Sequence, residues 1–190
     1  MGLRETKKRE LKSELSRAGI RLFSKHGFAE TTIDDIVDPL GVSKRTFFRY
    51  FATKEDVVFA WYEELTGELV AALEARPLAE SPFDAVCATL ASLLHYYDDD
   101  PEWARAMLRL TNETPSLLGK SYEKRAMWEH ALAHALHARL PKRGAELRAN
   151  VIVGAAMAAF TRGVEAWAGG DAASLRSCID KAFAYAKQLG

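Results

Sequence analysis

Apolar residues in this chain recur three and four positions apart, and alternation with period two is absent over any useful stretch. That spacing gathers apolar side chains on one face of a helix and does not suit a half-buried strand. An all-α fold is therefore expected. Leu11, Leu15, Ala18 and Leu22 stripe a first helix over about 5–26, with Gly27 suited to its C-terminal cap. Thr31-Thr32 precede a short second helix carrying Ile33, Ile36, Val37 and Leu40, and Gly41 permits a sharp turn. Ser43 can cap a third short helix over 44–50, and Thr53 with Asp56 a long fourth bearing Val57, Trp61, Leu65 and Leu69.

Beyond Arg76-Pro77 the punctuation changes. Ser81-Pro82, Asp100-Pro101 and Thr114-Pro115 each set a capping residue before a proline at the first helical position. They open helices near 82–97, 101–110 and 115–140. An alanine-rich helix over about 142–168 and a last one capped by Asp171 bring the total to about nine. Residues 1–55 read as one domain and 56–190 as a second.

Composition narrows the function. With 48% apolar residues the chain can bury a core, which excludes a disordered protein. Cys87 and Cys178 stand far apart with no metal-ligand spacing, as expected of buried thiols in a reducing, cytoplasmic setting. The first 21 residues mix charge throughout and hold no export signal, and the longest apolar run, Val151 to Phe160, is half of a membrane span. A soluble protein without membrane partners is expected. Net charge is zero, yet residues 1–60 carry +3 and residues 61–190 carry −3. Phosphates respond to local charge within about 8–10 Å, and Lys7-Lys8-Arg9 and Lys44-Arg45…Arg49…Lys54 are such clusters.

The second of these clusters sits on the third helix. Two short helices joined at a glycine, behind a longer supporting helix, form a helix-turn-helix whose second helix can enter a major groove. At 100° per residue Phe47 and Phe51 face inward, while Arg45 and Arg49 lie nearly opposite with Thr46 beside them. Lys44 and Phe48 flank this outward pair. Arginines placed so can fork onto guanine O6 and N7. Thr32, Ser43, Tyr50 and Lys54 are better placed for phosphates.

The string Ala18…Leu22-Phe23…His26-Gly27-Phe28…Thr31-Thr32-Ile33…Ile36…Gly41-Val42-Ser43…Thr46-Phe47-Phe48-Arg49-Tyr50-Phe51…Lys54-Glu55-Asp56 resembles the tetracycline-repressor (TetR) regulators in residue type and spacing. The resemblance implies a homodimer reading a roughly palindromic operator of double-stranded DNA. It also implies a divergent helical C-terminal domain whose small-molecule effector weakens DNA binding. Thr32, Ser43, Thr46 and Lys54 match the family pattern directly. Arg45 stands where the family usually has glycine, and Phe48 and Tyr50 replace the usual Tyr and His. Pro39 falls within the expected second helix, where it removes a hydrogen bond unless the helix ends or kinks there.

Other constellations point less far. His130, His134 and His137 share a helical face, but the stripe Trp128, Leu132, Leu136 and Leu140 lies opposite, so a solvated stripe is expected rather than a metal site. Leu118-Gly119-Lys120-Ser121 ends like a phosphate loop but lacks its first glycine, and Asp98-Asp99-Asp100 reads as a solvated turn. Neither a catalytic arrangement nor a cofactor fingerprint is present, so no enzyme is expected. The helix through Val151–Phe160, apolar nearly all round, should be buried, and with the final helix it suits a dimer interface. Trp103, Met107, Met127, Trp128, Met157, Phe160 and Trp167 suit an apolar effector pocket. A small-molecule-binding protein or enzyme with a vestigial headpiece is the alternative.

Overall fold

The computed structural model describes residues 3–170 and 174–188, with residues 3–5, 63 and 64 described by backbone alone. It is all-α: ten α-helices and two short 3₁₀ turns occur among the described residues, and no strand. They run α1 Leu3–His26, α2 Ile33–Val37, α3 Lys44–Tyr50, α4 Tyr62–Glu74, α5 Pro82–Ala91, α6 Leu94–Asp98, α7 Pro101–Glu113, α8 Pro115–His137, α9 Ala145–Ala168 and α10 Leu175–Gln188. The tenth arises because the helix expected over 82–97 breaks after Ala91 and resumes at Leu94. Two compact units emerge, one of residues 1–63 with 102–124, the other of 64–101 with 125–190.

In the first unit α1 buries Leu15, Ser16, Ile20 and Phe23, a face turned slightly from the stripe expected through Ala18 and Leu22. Gly19 explains the turn. A Cβ there would stand 2.6 Å from Val57 Cγ1, so the glycine lets the 55–57 turn press directly on α1. Ser16 Oγ donates to Val57 O at 2.7 Å from within the buried face. This contact also explains why the fourth helix does not begin at Thr53. Thr53 and Asp56 do bond reciprocally, but they close only the 3₁₀ turn Glu55–Val57. Four consecutive residues, Val57 to Ala60, are buried. A one-sided helix cannot bury four in a row, so α4 starts only at Tyr62.

The second unit packs α9 against α10 and α5. A Cβ on Gly163 of α9 would lie 3.0 Å from Ile179 Cα and 3.2 Å from Cys178 O on α10. The close approach that small residues allow is thus made here within one chain. Length and composition alone would let α9 cross a membrane, yet ten of its residues, including Met157, Phe160 and Trp167, are buried in this unit. Within one chain α9 is not buried all round. Leu147 is 72% and Val151 61% exposed, and Ala155 and Ala158 are exposed along the same side, because α5 and α10 cover only the other faces. Asp171, expected to cap the final helix, lies outside the described residues; at the head of α10 the Ser174 hydroxyl accepts the Ser177 N–H at 3.2 Å. Arg139 closes the far end of α4 by donating to the carbonyls of Leu73, Arg76 and Pro77 at 3.1, 2.9 and 2.6 Å. Cys87 and Cys178 are buried free thiols, and burial pushes Cys87 up to about 12.

Candidate nucleic-acid interface

Local chemistry sets each part of the helix-turn-helix. Thr32 caps α2 in a full capping box: Asp35 N–H reaches the Thr32 hydroxyl at 3.2 Å, and Asp35 accepts the Thr32 N–H at 2.8 Å. The Thr32 hydroxyl and N–H hold the Asp35 carboxyl below the usual carboxylate range. Pro39 does not damage α2, because α2 ends at Val37 and the proline enters the first turn of the 3₁₀ segment Asp38–Leu40, where no N–H is required of it. Gly41 follows at φ 63°, the left-handed conformation a glycine adopts without a side-chain clash. Ser43 then caps α3, accepting from Thr46 N–H at 3.2 Å.

On α3 the inward pair is as expected from the periodicity. Phe47 and Phe51 are buried, with ring centroids 5.2 Å apart. Lys44, Arg45, Phe48 and Arg49 are exposed, while Thr46 and Tyr50 are half-buried. The outward groups are not idle. Lys44 Nζ pairs with Asp34 of α2 at 2.7 Å, a partner sequence reasoning passed over. Arg49 lies over the Tyr50 ring at 4.9 Å and donates to its hydroxyl at 3.0 Å. The Ser43 and Thr46 hydroxyls are 3.0 Å apart. Among these residues Arg45 is exposed and makes no ion pair among the described residues.

Lys54, expected at a phosphate, is engaged within the headpiece. Its ammonium donates to the carbonyls of Phe28, at 2.5 Å, and Thr31, at 2.9 Å, and sits 4.3 Å over the Phe28 ring. Two of three N–H donors thus hold the loop ahead of α2 against the end of the recognition helix. Lys54→Met should lower the headpiece's stability by about 1.5–3 kcal/mol, the range for hydrogen bonds involving a charged group. DNA affinity should fall alike on all sequences while the slope of log affinity against log salt stays fixed. A slope shallower by about one would return Lys54 to the phosphate contacts.

Close by, Asp56 pairs with Lys120 of α8 at 3.2 Å inside the same unit. Burial works to raise the Asp56 carboxyl, but the Thr53 N–H and the Lys120 ammonium outweigh it and hold the group below its ordinary value.

The residues expected to line an effector pocket divide between the units. Met107 is buried and Trp103 half-buried in the first; Trp128, Met157, Phe160 and Trp167 are buried in the second, where Tyr97 meets Trp167 edge-on at 6.4 Å. Met127 is 48% exposed, so on this chain it belongs to the surface of α8 rather than to its buried side. His130, His134 and His137 are exposed on α8, away from buried Trp128, Leu132 and Leu136. Among the described residues no three His, Cys, Asp or Glu side chains gather as metal ligands.

A buried aromatic pair holding a short basic helix outward, one glycine turn from its brace, defines a helix-turn-helix protein with a helical body. Residues 15–61 match the family described as bacterial regulatory proteins, tetR family, and residues 80–188 match the MftR C-terminal domain. The chain belongs to the tetR family of transcriptional regulators. It is 34% identical over 144 residues to the HTH-type transcriptional regulator TcmR of Streptomyces glaucescens, covering 73% of this chain and 64% of TcmR. The chain thus spans somewhat less than two thirds of that relative. MftR of Mycobacterium tuberculosis is 24% identical over 169 residues, 89% of this chain and 85% of MftR. Among solved structures, a TetR-family regulator from Syntrophomonas wolfei superposes with TM-score 0.66 at 17% identity, covering 97% of this chain and 95% of that one. SmeT in complex with triclosan superposes with TM-score 0.60 at 16% identity, covering 92% and 90%. Both likenesses are of fold.

Proposed function

We propose that this protein is a transcriptional repressor that binds a palindromic double-stranded DNA operator as a homodimer and releases it when a small apolar effector binds its body. The observation that carries this reading is the exposed arc of Lys44, Arg45, Phe48 and Arg49 on a helix pinned from behind by Phe47 and Phe51. Arg45 and Arg49 take the base edges, with Thr46 beside them; Ser43 and Tyr50 offer hydroxyls to the phosphates, and Thr32 reaches one only by giving up the bond from its hydroxyl to Asp35. Residues 1–55 serve as the DNA-binding part, and residues 56–190 carry effector binding and dimerisation.

The uncovered side of α9, through Leu147, Val151, Ala155 and Ala158, supports the dimer: it is apolar, and a second copy related by a twofold axis would cover it. Two α3 helices would then enter successive major grooves about 34–36 Å apart. Trp128, Met157, Phe160 and Trp167, buried in the second unit, supply soft apolar surface for an effector there, and the triclosan held by SmeT, a protein of the same fold, is in keeping with a small apolar one. Such an effector releases DNA only if it binds the two states of the body unequally. The relatives are named as regulators rather than enzymes, and a vestigial headpiece is not favoured. A cytoplasmic protein fits this role.

The test is selection from random duplex DNA by the purified full-length protein. Recovery of an inverted repeat supports the reading. No enrichment over bulk DNA at low salt, from folded protein, would sink it.

A further inference from the structure

Of the large apolar side chains exposed among the described residues, Phe48 alone lies on the helix-turn-helix, 53% exposed in the midst of Lys44, Arg45 and Arg49. Exposing a ring there costs hydration free energy, and the fold does not hide it. Its inner edge is nonetheless held: the ring meets buried Phe47 nearly perpendicular, at 86°, with centroids 5.5 Å apart. The side chain is therefore aimed outward on the same arc as the two arginines.

A phenyl ring has no hydrogen-bonding group, so it can bind neither a phosphate oxygen nor a base nitrogen or oxygen. The major groove shows one apolar group to such a ring, the 5-methyl of thymine. The basic neighbours bring that groove to the helix face by attracting the flanking phosphates. We propose that Phe48 is a specificity-determining residue that reads the methyl group of one thymine in each half of the operator. The inference rests on α3 being the recognition helix.

The experiment uses the full-length protein and the duplex recovered by selection, with each thymine replaced in turn by deoxyuridine. That exchange removes the methyl and leaves every hydrogen-bonding group of the base pair in place. Wild type should lose about three- to tenfold in affinity at one thymine per half-site, the size expected for one buried methyl. Phe48→Ala should bind the thymine and uracil duplexes equally, whereas Phe48→Leu, which keeps an apolar surface, should retain a preference for thymine. Because Phe48 is exposed, Phe48→Ala empties no core, and its thermal midpoint should match wild type. Indifference of wild type to uracil at every position overturns the assignment. So does a uracil penalty that persists unchanged in Phe48→Ala, which would belong to another side chain such as Thr46. Failure to select any operator overturns the recognition-helix reading, and this assignment with it; an operator indifferent to uracil overturns this assignment alone.

Discussion

Arg45→Ala/Arg49→Ala should abolish preference for the selected operator while leaving the fold intact. Both side chains are exposed on α3, so their removal opens no cavity, and Phe47 and Phe51 still anchor the helix. Each arginine that forks onto a guanine is worth about 1–3 kcal/mol of discrimination at its base pair. Together that is roughly thirtyfold to twenty-thousandfold in specific affinity, if the two act independently. The singles should differ in a way the structure anticipates. Arg49 must give up its hydrogen bond and stacking on Tyr50 to reach a base, whereas Arg45 makes no such contact among the described residues, so Arg45→Ala should cost more. Binding titrations on the operator and on point-substituted duplexes decide the matter. Specific contact relaxes selectivity at one position; a uniform loss on all sequences, with a shallower salt slope, would place the residue on a phosphate instead.

The second large effect concerns the body. Gly163→Val should destabilise the protein by about 3 kcal/mol or more, since its branches would press on the backbone of α10 at Ile179 and Cys178, which cannot rotate away. Gly163→Ala should cost less, because helix propensity returns up to about 1 kcal/mol. Gly154 of the same helix is the control. A Cβ there meets nothing within 4 Å, so Gly154→Ala should be neutral or stabilising by up to about 1 kcal/mol in a single chain. Thermal unfolding followed by circular dichroism gives both numbers. Equal shifts for the two alanine variants would refute the close α9–α10 approach as the cause.

Features with short-range causes were legible in the sequence. The Gly41 turn, the Ser43 cap, the Thr53–Asp56 pair and the inward set of Phe47 and Phe51 all follow from residues within four positions of one another. What escaped depends on distant partners. Ser16 finds the Val57 carbonyl 41 positions on, Lys54 reaches back 26 positions to Phe28, and Arg139 caps a helix end 66 positions earlier. Periodicity also undervalues Gly19, whose importance lies in the side chain it lacks. The start of α4 was missed for the same reason, because the burial of Val57 to Ala60 is set by α1 and not by their own neighbours. In the site itself the outward arc of α3 was readable, while Asp34 as the partner of Lys44 was not.

That ion pair has a consequence for how DNA binding responds to salt. A lysine free in solvent that settles on a phosphate displaces a condensed cation, and the displaced ions set the salt slope. Lys44 already holds a carboxylate at 2.7 Å, so on settling on a phosphate it would exchange one anion for another. Asp34 would then be left near the backbone without its countercharge and would take up a cation in turn. The headpiece would therefore show fewer charges to a salt titration than it displays on its surface, with Asp34 as an internal stand-in for the phosphate whenever DNA is absent.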